Sequence, residues 1–172
     1  GINPLLCRIL VNRGVTDLNT ARSFIRSDTS DLYDAGKIKD LEKGVDILIE
    51  KIKEGRKIRI IGDYDVDGVV STFILLKALS RCEAQVDYTI PHRIFDGYGI
   101  NNSLINKAKE EGIDTIITCD NGIAASEQIR YAKASGITVV ITDHHDVPFI
   151  ENDNKEREYI LPAADAVINI KR

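Results

Sequence analysis

The chain has 172 residues, of which 43% are hydrophobic and 29% charged, with a formal net charge of -4. That balance suits a soluble globular chain with one sizeable core and argues against a free-standing polyanion binder, because affinity for a phosphate backbone comes from clustered Lys and Arg. The cysteines, Cys7, Cys82 and Cys119, are odd in number and lack a paired metal spacing. They read as reduced core residues and not as a disulfide framework. No apolar run approaches the roughly 18 residues of a membrane span, and the N-terminus lacks the basic-then-apolar order of a signal peptide, so a cytoplasmic protein with no membrane partner is expected. A chain without Met that starts at Gly1 reads as a segment of a longer protein.

Residues 1–38 read as an N-terminal arm or cap, with a short helix over 17–26 capped by Thr16 and a polar linker over 27–36. From Asp40, Leu41, Val45, Leu48, Ile49 and Ile52 fall on one helical face, and Gly55 is placed to stop the helix. Short β-branched runs then alternate with helical segments. Strands are predicted at 57–61, 85–90, 114–118, 137–142 and 166–170, with helices over 69–80, 102–111 and 124–135. The fold class is therefore α/β: a mainly parallel β-sheet of about five strands, helices on both faces, and a short helical N-terminal arm.

Sheets of this kind bind ligands beyond the carboxyl ends of their strands. Asp63, Asp120 and Asp143 each lie at or just past such an end, on three different strands. The stretch over 58–68 is a buried strand running into Asp63, Asp65 and Asp67, carboxylates that repel one another unless a cation or strong donors sit among them. An acidic surface turn is the plain alternative for these acids taken alone. The third strand delivers Asp120-Asn121-Gly122 and the fourth Asp143-His144-His145. Oxygen donors with one or two imidazoles favour Mn²⁺ or Mg²⁺ over the thiolate sites of structural zinc. The loop over 90–99 holds Arg93, Asp96 and Tyr98. Arg93 either grips a phosphate or pairs with Asp96, and Tyr98 either meets a nucleotide or plugs the loop.

Taken in order and spacing, Asp63-Tyr64-Asp65-Val66-Asp67-Gly68, Asp96-Gly97-Tyr98-Gly99, Asp120-Asn121-Gly122 and Asp143-His144-His145 resemble the phosphoesterase family named for its Asp-His-His motif, the DHH family. Within it, the resemblance is greatest to the branch that degrades single-stranded DNA, and it runs from residue 4 to residue 172. The resemblance implies a Mn²⁺- or Mg²⁺-dependent hydrolase, with one or two ions and no organic cofactor, that removes nucleotides from the 5′ end of single-stranded DNA in repair and recombination. It implies that Asp65 and Asp67 each face a metal, that Asp120 bridges two metals and that His144 ligates the second. Asp143 would orient the His144 ring, Asp63 would support from behind, and His145 would meet the scissile phosphate, with Arg93 and Tyr98 on the substrate. Residues 39–172 then form the catalytic subdomain.

Two departures qualify the transfer. Ile61 stands where some members carry a metal-binding His, and the family's downstream metal-binding Asp and second domain are absent. The segment is accordingly expected to be inactive, or nearly so, alone. Two rival readings are a DHH-family phosphodiesterase or pyrophosphatase for small nucleotides, and a receiver-type phospho-acceptor domain built on Asp63, Asp65, Asp120, Thr142 and Lys171.

Overall fold

Asn3 and Pro4 start the first helix. The Asn3 side chain accepts the Leu5 N–H at 2.9 Å, and proline in the first turn has no N–H to leave unsatisfied. This helix, α1 (Pro4–Asn12), is one the apolar pattern did not announce. In the second, α2 (Leu18–Arg26), the cap is Asp17 and not Thr16, its carboxylate accepting the N–H groups of Asn19 and Thr20, both at 2.9 Å. A carboxylate at a helix N-terminus also meets the positive end of the dipole, which favours Asp there. The computed structural model describes residues 2–26 and 28–172. Apart from Ser27, which lies outside the described residues, the expected linker contains 3₁₀ turns at Thr29–Asp31 and Ala35–Lys37, the first closed by a capping box between Asp28 and Asp31. The chain divides into two units, one ending at Ala35 and the other running from Gly36 to Arg172.

The second unit is the sheet unit. Helix α3 (Leu41–Lys53) is followed by β1 (Lys57–Ile61), α4 (Val66–Arg81), β2 (Gln85–Thr89), α5 (Asn102–Glu110), β3 (Thr115–Cys119), α6 (Ser126–Ala134) and β4 (Thr138–Asp143). A short antiparallel hairpin, β5 (Phe149–Glu151) with β6 (Arg157–Tyr159), intervenes before β7 (Ala166–Asn169). The five long strands form one parallel sheet in the order β2-β1-β3-β4-β7. Alternation along β1, β3 and β4 sends side chains to both faces, and both are covered. Ile58, Ile60, Ile117 and Val140 pack with Leu75 and Leu79 of α4 and Leu48 and Ile52 of α3. Ile61, Ile116, Val139 and Ile141 pack with Ile105 of α5 and Ile129 of α6. Each fully buried Ile contributes about 1.5–3 kcal/mol. That stabilisation makes the acids at the strand ends tolerable.

The chain goes from β1 outward to β2, then returns across β1 to β3. The reversal opens a crevice at the carboxyl ends of β1 and β3, the position where open α/β sheets hold ligands. Of the cysteines, Cys119 is buried as expected, but Cys7 and Cys82 are exposed and all three are free thiols. Cys82 sits at the C-cap of α4, where the helix turns into solvent.

Candidate metal centre

Asp63 lies two residues past the end of β1 and is completely buried, with 0% exposure. Neither of its carboxylate oxygens has a hydrogen-bond partner among the described residues. An uncompensated buried carboxylate costs several kcal/mol, so something must answer this charge. Helix α4 begins two residues after Tyr64, with Asp65 as its N-cap, accepting the Gly68 N–H at 3.0 Å. Gly68 is required by contact: a Cβ there would lie 2.5 Å from the Asp63 carbonyl oxygen. The first turn of α4 is thereby pressed onto Asp63, and the cap places Asp65 beside it.

Asp120 leaves β3 with φ of 60°, in the left-handed region that costs a non-glycine residue energy. Its N–H is tied to the Thr142 carbonyl at 3.1 Å, which holds it in that conformation. The next residue, Asn121, is a positioning group the sequence reading passed over. It is 1% exposed, its amide donates to the carbonyls of Ile61 (3.0 Å) and Cys119 (2.9 Å), and its oxygen accepts the Ile100 N–H at 3.2 Å. One side chain thus ties the ends of β1 and β3 to the loop after β2. Its adjacency to Asp120 was the available signal.

Two sets of donors result. Ligand atoms of Asp63, Asp65 and Asp120 lie within 4.8 Å of one another, and so do those of Asp120, His144 and His145. Asp120 belongs to both. The His144 Nε2 is 2.9 Å from Asp120 Oδ1. Asp67 falls in neither set; it is exposed and lines a neighbouring cavity with Val70, Ile74 and His144. The alternation that put Asp63, Asp65 and Asp67 together holds only along a strand, and Val66 already starts a helix, so Asp67 turns away. Asp63, expected in support, takes the place beside Asp65.

Asp143 also differs from expectation. Its Oδ1 is 2.7 Å from the Nδ1 of His145, so it orients the His145 ring and not that of His144. It accepts the backbone N–H groups of His144 (2.7 Å) and His145 (3.1 Å) on the same oxygen and that of Ile123 (2.9 Å) on the other. Asn169 donates to the His145 carbonyl at 3.0 Å. With Nδ1 held, the other ring nitrogen of His145 faces the Tyr98 hydroxyl at 3.4 Å, and that hydroxyl donates to the Asp120 carbonyl at 3.0 Å. Tyr98 is therefore built into the site wall. Arg93 lies 5.4 Å over the Tyr64 ring, while Asp96 accepts the His92 N–H at 2.8 Å, so the open choice at Arg93 resolves against the Asp96 pair.

The electrostatics follow from this crowding. Burial and then the Asp65 charge push the Asp120 carboxyl above the usual range, while the Gly68 N–H holds Asp65 below it. Burial opposes charge on His145, but the hydrogen bond to Asp143 and the charges of Asp143, Asp120 and Asp65 outweigh it and raise its pKa. Burial, followed by the surrounding acids, pushes the Tyr98 hydroxyl upward, keeping it a neutral donor. Orphaned carboxylate oxygens and imidazoles, with the Cys119 thiol engaged with Thr72 at 3.3 Å instead, form a hard donor set that fits Mg²⁺ or Mn²⁺. The receiver-type set is not assembled, because Thr142 donates its hydroxyl to the Thr118 carbonyl at 2.7 Å and Lys171 its ammonium to Asp146 at 2.9 Å.

Residues 57–172 match the model of the DHH family, N-terminal domain. The chain is 42% identical over 145 residues to the single-stranded-DNA-specific exonuclease RecJ of Bacillus subtilis (strain 168), covering 84% of the chain and 18% of that protein. It is 35% identical over 167 residues to RecJ of Escherichia coli (strain K12), covering 96% of the chain and 26% of that protein. The crystal structure of exonuclease RecJ bound to manganese superposes with a TM-score of 0.67 at 30% identity, over 80% of this chain and 33% of that one. The chain thus spans about a quarter or less of the length of these curated relatives.

Proposed function

The chain belongs to the DHH family, and from that membership and the acids gathered at the sheet edge we propose that it carries the metal-binding part of a hydrolase that removes nucleotides from the 5′ end of single-stranded DNA. The observation that carries this reading is the buried carboxylate of Asp63, unpartnered, with Asp65 and Asp120 around it. Asp63, Asp65, Asp120 and His144 would hold Mn²⁺ or Mg²⁺, with Asp120 common to both sets. When bound, a divalent ion supplies Lewis-acid polarisation of the phosphate and a water of lowered pKa.

The residues themselves do the positioning. Asp143 fixes the His145 ring through Nδ1, which leaves Nε2 as the atom that meets a phosphate oxygen, beside the Tyr98 hydroxyl. Arg93, exposed over Tyr64, offers a planar fork to a terminal phosphate. The overall charge of -4 leaves phosphate recognition to such local groups. A single-strand exonuclease of this kind would work in the cytoplasm on DNA under repair and recombination. Among the described residues no helix is long and apolar enough to cross a membrane.

The relatives named above are single-stranded-DNA exonucleases, which favours DNA over small nucleotides as substrate. Hydrolysis by the full-length parent protein of single-stranded DNA labelled at either end, with pyrophosphate and cyclic dinucleotides as alternative substrates, tests the reading. Mn²⁺-dependent release of mononucleotides from the 5′ end is expected. Cleavage confined to the small substrates overturns it.

A further inference from the structure

Asp120 is the donor common to both sets, and its backbone lies in the left-handed region. The bond from its N–H to the Thr142 carbonyl fixes the peptide plane before its Cα and leaves the plane after it free to turn. The side chain of Asn121 supplies the second restraint. Its amide nitrogen reaches back over Asp120 to the Cys119 carbonyl at 2.9 Å, and the ring closed by that bond contains both backbone torsions of Asp120. The same nitrogen donates to the Ile61 carbonyl at 3.0 Å, which ties the ring to the end of β1, two residues before Asp63. Asn121 is thus the fixed point between the strand end that delivers Asp63 and the corner that delivers Asp120.

The position calls for an amide. Two carbonyls need donors and the Ile100 N–H needs an acceptor, and an aspartate at 121 would set an oxygen against two oxygens. The loop after β2 closes over this group: Gly99 has a φ of 63°, and a Cβ there would lie 3.0 Å from the Asn121 Cβ. Asn101, at the other end of that stretch, is the natural comparison. It accepts the Leu104 N–H at 3.0 Å and donates to the Asp96 carbonyl at 3.1 Å, so it caps α5 and anchors the same loop, with neither bond reaching the Asp120 corner. A carboxylate already held in place gives up little freedom when an ion arrives, and affinity is gained by that amount.

Resting on the metal-binding reading, we propose that Asn121 is a positioning residue for the divalent ion that acts through Asp120: it holds the strained backbone and so fixes where the shared carboxylate stands between the two donor sets. Calorimetric titration of the chain with Mn²⁺, beside urea unfolding without metal, provides the test. Asn121→Ala is expected to weaken Mn²⁺ binding about tenfold. Gly99→Ala, which presses on Asn121 and removes no polar group, is expected to weaken it about threefold. Asn101→Ala is expected to lower the urea midpoint yet leave Mn²⁺ affinity within about twofold of the parent chain. In an Asp120→Ala background, Asn121→Ala is expected to cost less than about twofold more, because the carboxylate it positions is gone. An unchanged affinity in Asn121→Ala, a loss that Asn101→Ala reproduces, or an undiminished loss in the Asp120→Ala background overturns the assignment and leaves the metal reading standing. If Asn121→Ala does not fold, Gly99→Ala decides alone, and an affinity equal to that of the parent chain overturns the assignment. A parent chain that binds no Mn²⁺ overturns both.

Discussion

Two buried charged residues, one within β1 and one just past its end, are treated in opposite ways. Arg59, 6% exposed in the middle of β1, is met by Asp87 of β2 through a two-pronged contact at 2.7 and 2.6 Å and by Glu111 at 2.5 Å. Those partners raise its pKa further, with the Asp87 hydrogen bond the largest contribution. Four residues on, Asp63 is more deeply buried, and its carboxylate has no hydrogen-bond partner among the described residues. The first charge is completed within the fold, so it belongs to the architecture. The second is completed only from outside, and a fold that keeps such a group reserves the position for a ligand.

The largest expected effect breaks the contrast at its shared donor. Asp120→Ala removes a member of both donor sets, and Mn²⁺ affinity by calorimetry is expected to fall by at least about 100-fold. Equal binding by the two proteins would remove Asp120 from the centre. A smaller effect sharpens the contrast. Arg59→Met leaves Asp87 and Glu111 facing an apolar neighbour, and because both acids are about half exposed the loss is set near 2 kcal/mol, below that of a fully buried pair. Asp63→Asn has the opposite sign without metal: it deletes an unanswered charge, so the metal-free chain should gain about 1 kcal/mol while Mn²⁺ binding weakens. Urea unfolding of the metal-free proteins reads both, and the same sign for the two substitutions would remove the distinction drawn between them.

Strand positions were legible because β1, β3 and β4 are compact β-branched runs, and the five strands of the parallel sheet begin and end within a residue of the expected places. The β5–β6 hairpin was not, since its strands are three residues each, exposed, and carry no buried alternation. Helix α1 was missed although Asn3 and Pro4 are start signals, because its apolar residues are mostly exposed and form no clean stripe. At the site, the convergence of Asp63, Asp120 and Asp143 followed from strand ends alone. The exchange between Asp63 and Asp67 did not, because it depends on α4 beginning at Val66, one residue after the cap. The Asp143 contact to His145 in place of His144 is likewise set by a turn, where spacing along the chain does not say which ring swings back.

The smallest expected effect lies where a charge pair closes the sheet unit at its last strand. Asp40 accepts the Val167 N–H at 3.3 Å and is paired with Arg172, which also donates to the Val167 carbonyl at 2.8 Å. The hydrogen bond from Arg172 is the main cause holding the Asp40 carboxyl below its usual range. A folded-state pKa below the unfolded value means that the contribution is present above the unfolded pKa, about 3.9, and disappears as pH falls through the folded pKa. Asp40→Asn should therefore lower the melting temperature at pH 6, and the gap to the parent chain should close toward pH 2. The pair is partly solvated, so the stability difference at pH 6 is expected at up to about 1 kcal/mol and should shrink further in high salt. A gap that persists unchanged at pH 2 would show that the effect does not come from the Asp40 charge. Asp40 sits at a φ of 59°. Asparagine tolerates that left-handed conformation as well as aspartate does, so the substitution isolates the charge.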